Sequence, residues 1–310
     1  MKISVVLTTY NGDRYIMEQL ESLKNQSRKA DEILIFDDCS TDQTINIIKN
    51  YILLNNLDNW VFTINNVNIG WRKNFMQGIW MATGDIVFTC DQDDIWENTK
   101  IEIMEKYMEN NKNILLLTSR YSEFNEEGWN HINTKCFSSD LIEQKLVKNI
   151  LNVKYPGNTY CIRKELILKT KDVWFEETPH DAFFWRIAIL EHSLYTCNQI
   201  LVRVRKHNST FRLESKDLRN INKRIEWLNY AEKSIDQLNV YVKKNNIQLL
   251  KKEKKILDRN KLWVKLRREM LESKSILSWL LLAKYISCYL KLHQYFFDLL
   301  LIVKNKKRNK

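Results

Sequence analysis

Over its first half the chain alternates short apolar, β-rich runs with longer stretches whose apolar positions recur at helical spacing. Ile3–Thr8, Glu32–Phe36, Trp60–Ile64, Asp85–Thr89 and Ile114–Thr118 read as strands, and residues 13–26, 42–56, 71–82 and 97–110 as the helices between them. Strand–helix alternation of this kind predicts a mostly parallel, Rossmann-like α/β sheet covered by helices on both faces. Asn11-Gly12 marks the turn into the first helix, and Ser40 or Thr41 is placed to cap the second.

Beyond residue 120 the pattern loosens. Residues 121–140 are polar and read as loop, and Tyr155-Pro156-Gly157-Asn158 reads as a turn. A strand at 159–162, a helix from 164, a helix from His180 to about Glu191, and strands Leu194–Thr196 and Ile200–Val204 follow. No glycine occurs after Gly157 and no proline after Pro179, so the last hundred residues are expected to form an α-helical C-terminal extension.

Charge divides the chain at about residue 215. Residues 1–215 hold 25 Lys+Arg against 29 Asp+Glu, whereas residues 216–310 hold 24 against 9, so the basicity lies in the second part. An α/β domain over 1–215 and a basic helical region over 216–310 are therefore expected. At 44% hydrophobic and 28% charged residues the composition excludes wholesale disorder. The six cysteines are scattered without a C-x-x-C pair, which argues for reduced thiols in a cytosolic protein over a zinc site or disulfide framework. The N-terminal apolar run is too short for a secretory signal and reads as the first strand.

Within the basic region, residues 216–272 predict two charged amphipathic helices. Residues 276–303 predict a longer apolar helix with a polar stripe at Lys284, Ser287, Lys291, Gln294 and Asp298, followed by basic Lys304–Lys310. Spanning a bilayer would bury two lysines and an aspartate, each at roughly 2.5–3.5 kcal/mol. The expectation is instead a helix lying on the anionic inner face of the plasma membrane, with packing against protein, including a homodimer through these helices, as the rival. A nucleic-acid partner is not expected, because the charge is spread along the helices with no helix-turn-helix, zinc or stacking motif.

The chemistry-bearing residues gather where strands end. Asp37-Asp38 follows the second strand and Asp91-Gln92-Asp93-Asp94 the fourth, and in an open parallel sheet both face one crevice beyond the strand ends. Carboxylates brought together repel unless a cation sits among them. Hard oxygen ligands suit Mg²⁺ or Mn²⁺, typically shared with substrate phosphates.

The segments VVLTTYNGDRYIMEQLESLKNQS, DEILIFDDCSTDQT, NNVNIGWRKNFMQGIWMATGDIVFTCDQDDIW, PGNTYCIRKEL and PHDAFFWRIA resemble family 2 glycosyltransferases, and within them bacterial rhamnosyltransferase-like members. The likeness runs in order over about residues 1–208, and its DQDDIW block after A-x-G-D is the most specific part. It implies a GT-A fold and inverting transfer from a nucleotide diphosphate sugar. By this resemblance Thr9, Tyr10 and Asn11 would line the nucleotide pocket, Asp38 would contact base or ribose, and Asn68, Gly70 and Arg72 would lie near the nucleotide. Asp91 and Asp93 stand at the D-x-D positions that hold metal and donor, while Asp94 and Trp96 would shape the sugar or acceptor pocket.

Asp181 matches the catalytic base, preceded by His180 where many relatives carry glutamate, a variant resembling the rhamnosyltransferase subgroup. Gly157-Asn158 lies in the segment that lines the acceptor side. Arg205-Lys206-His207 is similar to a Y-R-Q-H stretch, with Val204 replacing the tyrosine; Arg205 would contact the diphosphate and His207 complete the metal shell. The implied reaction moves a sugar, with rhamnose from dTDP-rhamnose favoured, to a growing and lipid-linked bacterial cell-surface polysaccharide. The alternative is a UDP-hexose or UDP-N-acetylhexosamine transferase of capsule or O-antigen synthesis. A catalytically silent scaffold of a glycan assembly complex is the non-enzyme alternative, against which the intact D-x-D and Asp181 argue.

Overall fold

A computed structural model of the protein describes residues 1–131, 137–207 and 220–307. The chain forms two compact units, Met1–Gln144 with Lys154–Ser209, and Lys145–Val153 with Thr210–Lys310.

The first unit runs β1 (Ile3–Thr9), α1 (Ile16–Lys24), β2 (Glu32–Asp37), α2 (Thr44–Leu54), β3 (Trp60–Ile64), α3 (Trp71–Met81), β4 (Ile86–Asp91), β5 (Ile95–Trp96), α4 (Lys100–Asn110), β6 (Leu116–Phe124), β7 (Asn130–His131), β8 (Leu141–Glu143), β9 (Tyr160–Arg163), α5 (Lys164–Thr170), α6 (His180–Leu190) and β10 (Leu194–Arg205). One sheet orders these strands β3-β2-β1-β4-β9-β6-β10-β5, with β7 on β6 and β8 on β10. Strands β1 to β4 are parallel, as are β6 and β10, and β9 enters antiparallel between β4 and β6. All seven residues of β1 are buried, as expected of a strand covered on both faces. Ile3, Val5 and Leu7 join the apolar residues of α1, α2 and α4 on one face. On the other, Gly78 of α3 lies so close to Val6 and Phe36 that a methyl group there would collide with the Val6 side chain.

The structure corrects several sequence expectations. Residues 121–124, read as loop, complete β6, because their pairing with β10 satisfies backbone groups that polar side chains could not. The two strands expected after residue 194 are one, β10, whose register shifts between Cys197 and Val202 absorb the polar Asn198-Gln199 pair. Neither Ser40 nor Thr41 caps α2; the Asp42 carboxylate accepts from Thr44 N at 2.9 Å, while Ser40 and Thr41 bind groups of the neighbouring turn. Cys39, Cys90, Cys161, Cys197 and Cys288 are free thiols; Cys136 lies outside the described residues.

The second unit contains α7 (Ile221–Lys244), α8 (Lys251–Ser273), α9 (Ile276–Leu281), a 3₁₀ segment Leu282–Cys288, and α10 (His293–Lys307). The single helix expected over 276–303 is therefore two, broken at Tyr285 and again at Tyr289. The reason is Asp298. Its carboxylate is fully buried, and it accepts from Arg267 Nε at 2.7 Å, Arg267 Nη2 at 3.1 Å and Tyr289 Oη at 3.1 Å, and pairs with Arg224. A straight helix cannot bring Tyr289 and Asp298 to one point while both face α8. Trp279 and Tyr295 close the turn, with rings stacked at 4.6 Å and reciprocal hydrogen bonds of 2.9 and 3.1 Å. Residues 145–153 join this unit through buried Asn260, which accepts from Ile150 N at 2.8 Å and donates to Lys148 O at 3.1 Å. Among the described residues no helix is long and apolar enough to cross a membrane.

Candidate active site

The carboxyl ends of β1, β2 and β4 lie side by side, with Thr9 registered to Asp37 and Thr8 to Asp91. The turns that follow are tied together. Asp37 is consumed locally, accepting from Thr9 Oγ1 at 2.7 Å and from Ser40 N and Oγ at 2.7 and 2.6 Å. Asn11, in the left-handed region at φ 46°, donates its N–H to Ser40 Oγ at 2.9 Å and accepts from Thr41 N at 2.8 Å. Tyr10 exchanges two hydrogen bonds with the Gln92 amide, at 2.8 and 3.0 Å, which fastens the first turn to the acidic loop.

Asp38, placed at base or ribose by resemblance, is 2% exposed and organises the loop before α3. It accepts from Asn65 Nδ2 at 3.0 Å, Ile69 N at 2.8 Å and Gly70 N at 2.8 Å. Gly70 requires its φ of 85°, which favours glycine, and its N–H is shared with Asn68 Oδ1 at 3.0 Å. Arg72, in the first turn of α3, lies over the Trp71 ring at 4.7 Å, and its Nε has no hydrogen-bond partner among the described residues.

Around the acidic loop the charges of Asp93, Asp94 and Asp181 act on Asp91. Burial, followed by the charges of Asp94, Asp93 and Asp181, pushes the Asp91 carboxyl well above the usual carboxylate range. This interaction puts Asp181, ninety residues later, within electrostatic reach of the D-x-D segment. Asp94 is pushed up to about 7, by burial first and then by Asp93. Its carboxylate accepts from Arg205 N at 3.0 Å and from the Asn158 amide. Asp93 Oδ2 lies 2.6 Å from His207 Nε2. Arg205 does not extend toward open space: its Nε donates to Asp93 O at 2.9 Å, Nη2 pairs with Glu18 at 2.9 Å, and the guanidinium lies between Tyr15 and Phe124 at 4.8 and 4.5 Å. Its observed work is to hold the acidic loop.

Gly157 bridges β4 and α6. Thr89 Oγ1 donates to Gly157 O at 2.5 Å, and a Cβ at Gly157 would collide with His180 Nε2, so only glycine lets the start of α6 come this close. His180 is 4% exposed, its ring lies tilted against Phe75 at 4.0 Å, and neither ring nitrogen has a hydrogen-bond partner among the described residues. Burial depresses its pKa to about 4. Trp96, expected at the pocket, instead packs in the main apolar cluster beside Phe88.

The family profile of Glycosyl transferase family 2 matches residues 4–174. The chain belongs to that family. The transferase is 30% identical over 216 residues to a dTDP-rhamnosyl transferase, RfbG, of Shigella flexneri, covering 66% of this chain and 72% of that protein. It is 25% identical to a glycosyltransferase of Haemophilus influenzae, covering 67% of this chain and 66% of the relative. Against the poly(ribitol-phosphate) beta-N-acetylglucosaminyltransferase TarS of Staphylococcus aureus it is 28% identical over 57% of this chain, and spans only 30% of TarS. Among solved structures, TarS 1–349 in complex with UDP-GlcNAc aligns with a TM-score of 0.62 at 19% identity, covering 100% of this chain and 93% of that one. A mannosyltransferase of Pyrobaculum calidifontis in complex with GDP-Man and Mn²⁺ aligns with a TM-score of 0.55 at 14% identity, covering 100% and 88%. At these identities the likeness is one of fold, and that fold is GT-A.

Two residues of this glycosyltransferase's site escaped the sequence reading. Gln92 lies inside the acidic loop, but nothing in one sequence distinguishes its amide from a solvated one. Lys100 is fully buried, donates to Asn158 O at 2.6 Å and sits 3.3 Å from the Trp96 ring centre. Its signal was present: on α4 it shares the helical stripe of buried Met104 and Met108, where a charge is anomalous.

Proposed function

We propose that this family 2 enzyme transfers a sugar with inversion from a nucleotide diphosphate donor, with dTDP-rhamnose favoured. The observation that carries the reading is that Gly157, bound by Thr89 of β4, lies against His180 and Asp181, which brings the start of α6 to the strand that ends in Asp91 within a GT-A fold. Likeness to the Shigella rhamnosyl transferase, together with the His180-Asp181 pair, supports rhamnose. The UDP-GlcNAc complex of TarS, similar in fold, supports the second reading, a UDP-N-acetylhexosamine donor.

In this reading Asp181 takes the proton from the acceptor hydroxyl as its oxygen attacks the anomeric carbon, and the bond to the nucleoside diphosphate breaks in the same displacement. Thr9, Tyr10 and Asn11, with Asp38, Asn68, Gly70 and Arg72, bind and orient the nucleotide. Asp94, Asn158, Gly157 and His180 shape the sugar and acceptor side. Lys100 and Arg205 hold that wall from behind, and Trp96 underlies it.

The donor set fits Mg²⁺ or Mn²⁺: Asp93 lies against His207, and Asp91 is crowded by like charges that a cation would relieve. Among the described residues no three His, Cys, Asp or Glu side chains converge as a ready-made cage, so Asp91, Asp93 and His207 would share the ion with the donor phosphates. When bound, the metal neutralises charge on the leaving diphosphate. The acceptor is an oligosaccharide or a lipid-linked glycan of the bacterial surface, met at the cytoplasmic face of the plasma membrane.

A thermal-shift panel of dTDP-rhamnose, UDP-glucose, UDP-galactose and UDP-GlcNAc with Mn²⁺ tests the reading, because a ligand that binds only the folded state raises its melting temperature. dTDP-rhamnose is expected to give the largest rise. A larger rise with UDP-GlcNAc favours the second reading, and no response to any sugar nucleotide overturns both.

A further inference from the structure

Within the second unit, large apolar side chains stay uncovered in one segment. On α9, Leu277, Leu280 and Leu281 recur at helical spacing and are 68, 54 and 55% exposed. Leu292, in the turn just before α10, and Phe296 and Leu300 on it follow one another at intervals of four and are 58, 52 and 61% exposed. The opposite side of α10 is used up: Tyr295, Asp298, Leu301 and Ile302 are buried. α10 thus turns an inner face to protein, and both helices leave an outer apolar face uncovered among the described residues.

The charge along the segment itself is almost all of one sign. Residues 276–310 contain seven Lys and Arg and a single acidic residue, Asp298. Asp298 is withdrawn from the surface altogether, buried and bound by Arg224, Arg267 and Tyr289. What the segment exposes among the described residues is therefore leucine and phenylalanine flanked by exposed Lys284, Lys291 and Lys304. A second copy of the chain is a poor occupant, since a two-fold contact sets this lysine-flanked patch against its own copy and brings like charge to like. An anionic bilayer satisfies both halves, accepting apolar side chains at the acyl boundary and pairing ammonium groups with lipid phosphates.

We propose that the outer face of α9 and α10 is a docking surface for an anionic membrane, inserted as two short helices and not as one continuous amphipathic helix. The inference deepens the membrane location proposed above and rests on it, but not on the transfer chemistry. Flotation of the full chain with vesicles of about 30% phosphatidylglycerol in phosphatidylcholine, against phosphatidylcholine alone, tests it. Wild type is expected to float with the anionic vesicles only. Leu292→Gln/Phe296→Gln/Leu300→Gln and, separately, Lys284→Glu/Lys291→Glu are each expected to lose binding about tenfold or more. Both variants should keep the wild-type melting temperature, since every substituted residue is exposed.

Wild type that ignores anionic vesicles, or a triple variant that binds them like wild type, overturns the proposal. So does a wild-type dimer that the triple variant dissolves without any vesicle binding, which makes the face a self-contact. Donor hydrolysis read in the same samples separates the two ideas. A chain that floats yet turns over no sugar nucleotide keeps the docking surface and loses the glycosyltransferase reading.

Discussion

Lys100 donates a hydrogen bond to the Asn158 carbonyl oxygen at 2.6 Å, and the Asn158 amide donates in turn to the Asp94 carboxylate. A buried cation on α4 thereby fixes an acidic loop it does not belong to. Burial depresses the Lys100 pKa to about 7, which measures what its placement costs. Lys100→Met leaves Asn158 O buried and unsatisfied, a penalty of about 1–3 kcal/mol, and frees the Asp94 contact. We expect kcat to fall about tenfold or more with nucleotide affinity little changed, together with a lowered melting temperature. Unchanged kcat would remove Lys100 from the positioning network.

Asp181 offers the sharpest test of chemistry. Asp181→Asn keeps shape and removes the proposed base, so kcat should drop by about 10²–10⁴ while calorimetric donor binding persists. A loss smaller than about tenfold assigns the proton to another group.

The crowding of Asp91 by Asp93, Asp94 and Asp181 predicts a requirement for a divalent cation. Transfer should stop in excess EDTA and return on adding Mn²⁺ or Mg²⁺. His207→Ala should raise the Mn²⁺ concentration for half-maximal activity by about tenfold. Full activity under chelation excludes the metal.

His180 is neutral and buried, with its pKa depressed to about 4 and Asp181 as the charge opposing that depression. In the unfolded chain a histidine titrates near its ordinary value of about 6.5, so between these values the unfolded state binds more protons. Stability that is complete above about pH 6.5 is therefore lost as pH falls toward 4. Urea unfolding should show His180→Phe losing less stability than wild type over that window, by up to about 3 kcal/mol. Parallel pH profiles for the two proteins would contradict a buried neutral imidazole.

Asp298 pairs with both Arg224 and Arg267 inside the helical unit. Removing one partner of such a buried network leaves charge unpaired, so Asp298→Ala should destabilise this unit by about 3–5 kcal/mol. Amide-exchange protection in α8 and α10 reports the loss. Protection equal to wild type would show the network to be dispensable.

Elements and their order were legible in the sequence because periodicity is a local property. Thr9, Asp91 and Asp181 sit at strand or helix ends that the pattern of apolar runs already marked. The acidic loop was legible for the same reason: four polar residues directly after a buried strand stand out in one dimension. Lys100 shows the limit. Its position on an apolar stripe was visible, but that it serves Asn158, fifty-eight residues away, was not.

Left to itself, the sequence determined the alternation that builds a parallel sheet, the acidic residues at its strand ends and the division of charge between the two parts of the chain. The tertiary structure alone decided three things. Asp38 and Arg205 spend their polar groups on holding loops, Trp96 faces the core, and the apolar segment after residue 276 breaks so that Asp298 can meet two arginines. The physical reason is common to all three: a contact formed across many residues, whether hydrogen bond, ion pair or apolar packing, depends on where folding brings its partner, and a side chain's own type states only what it can bind.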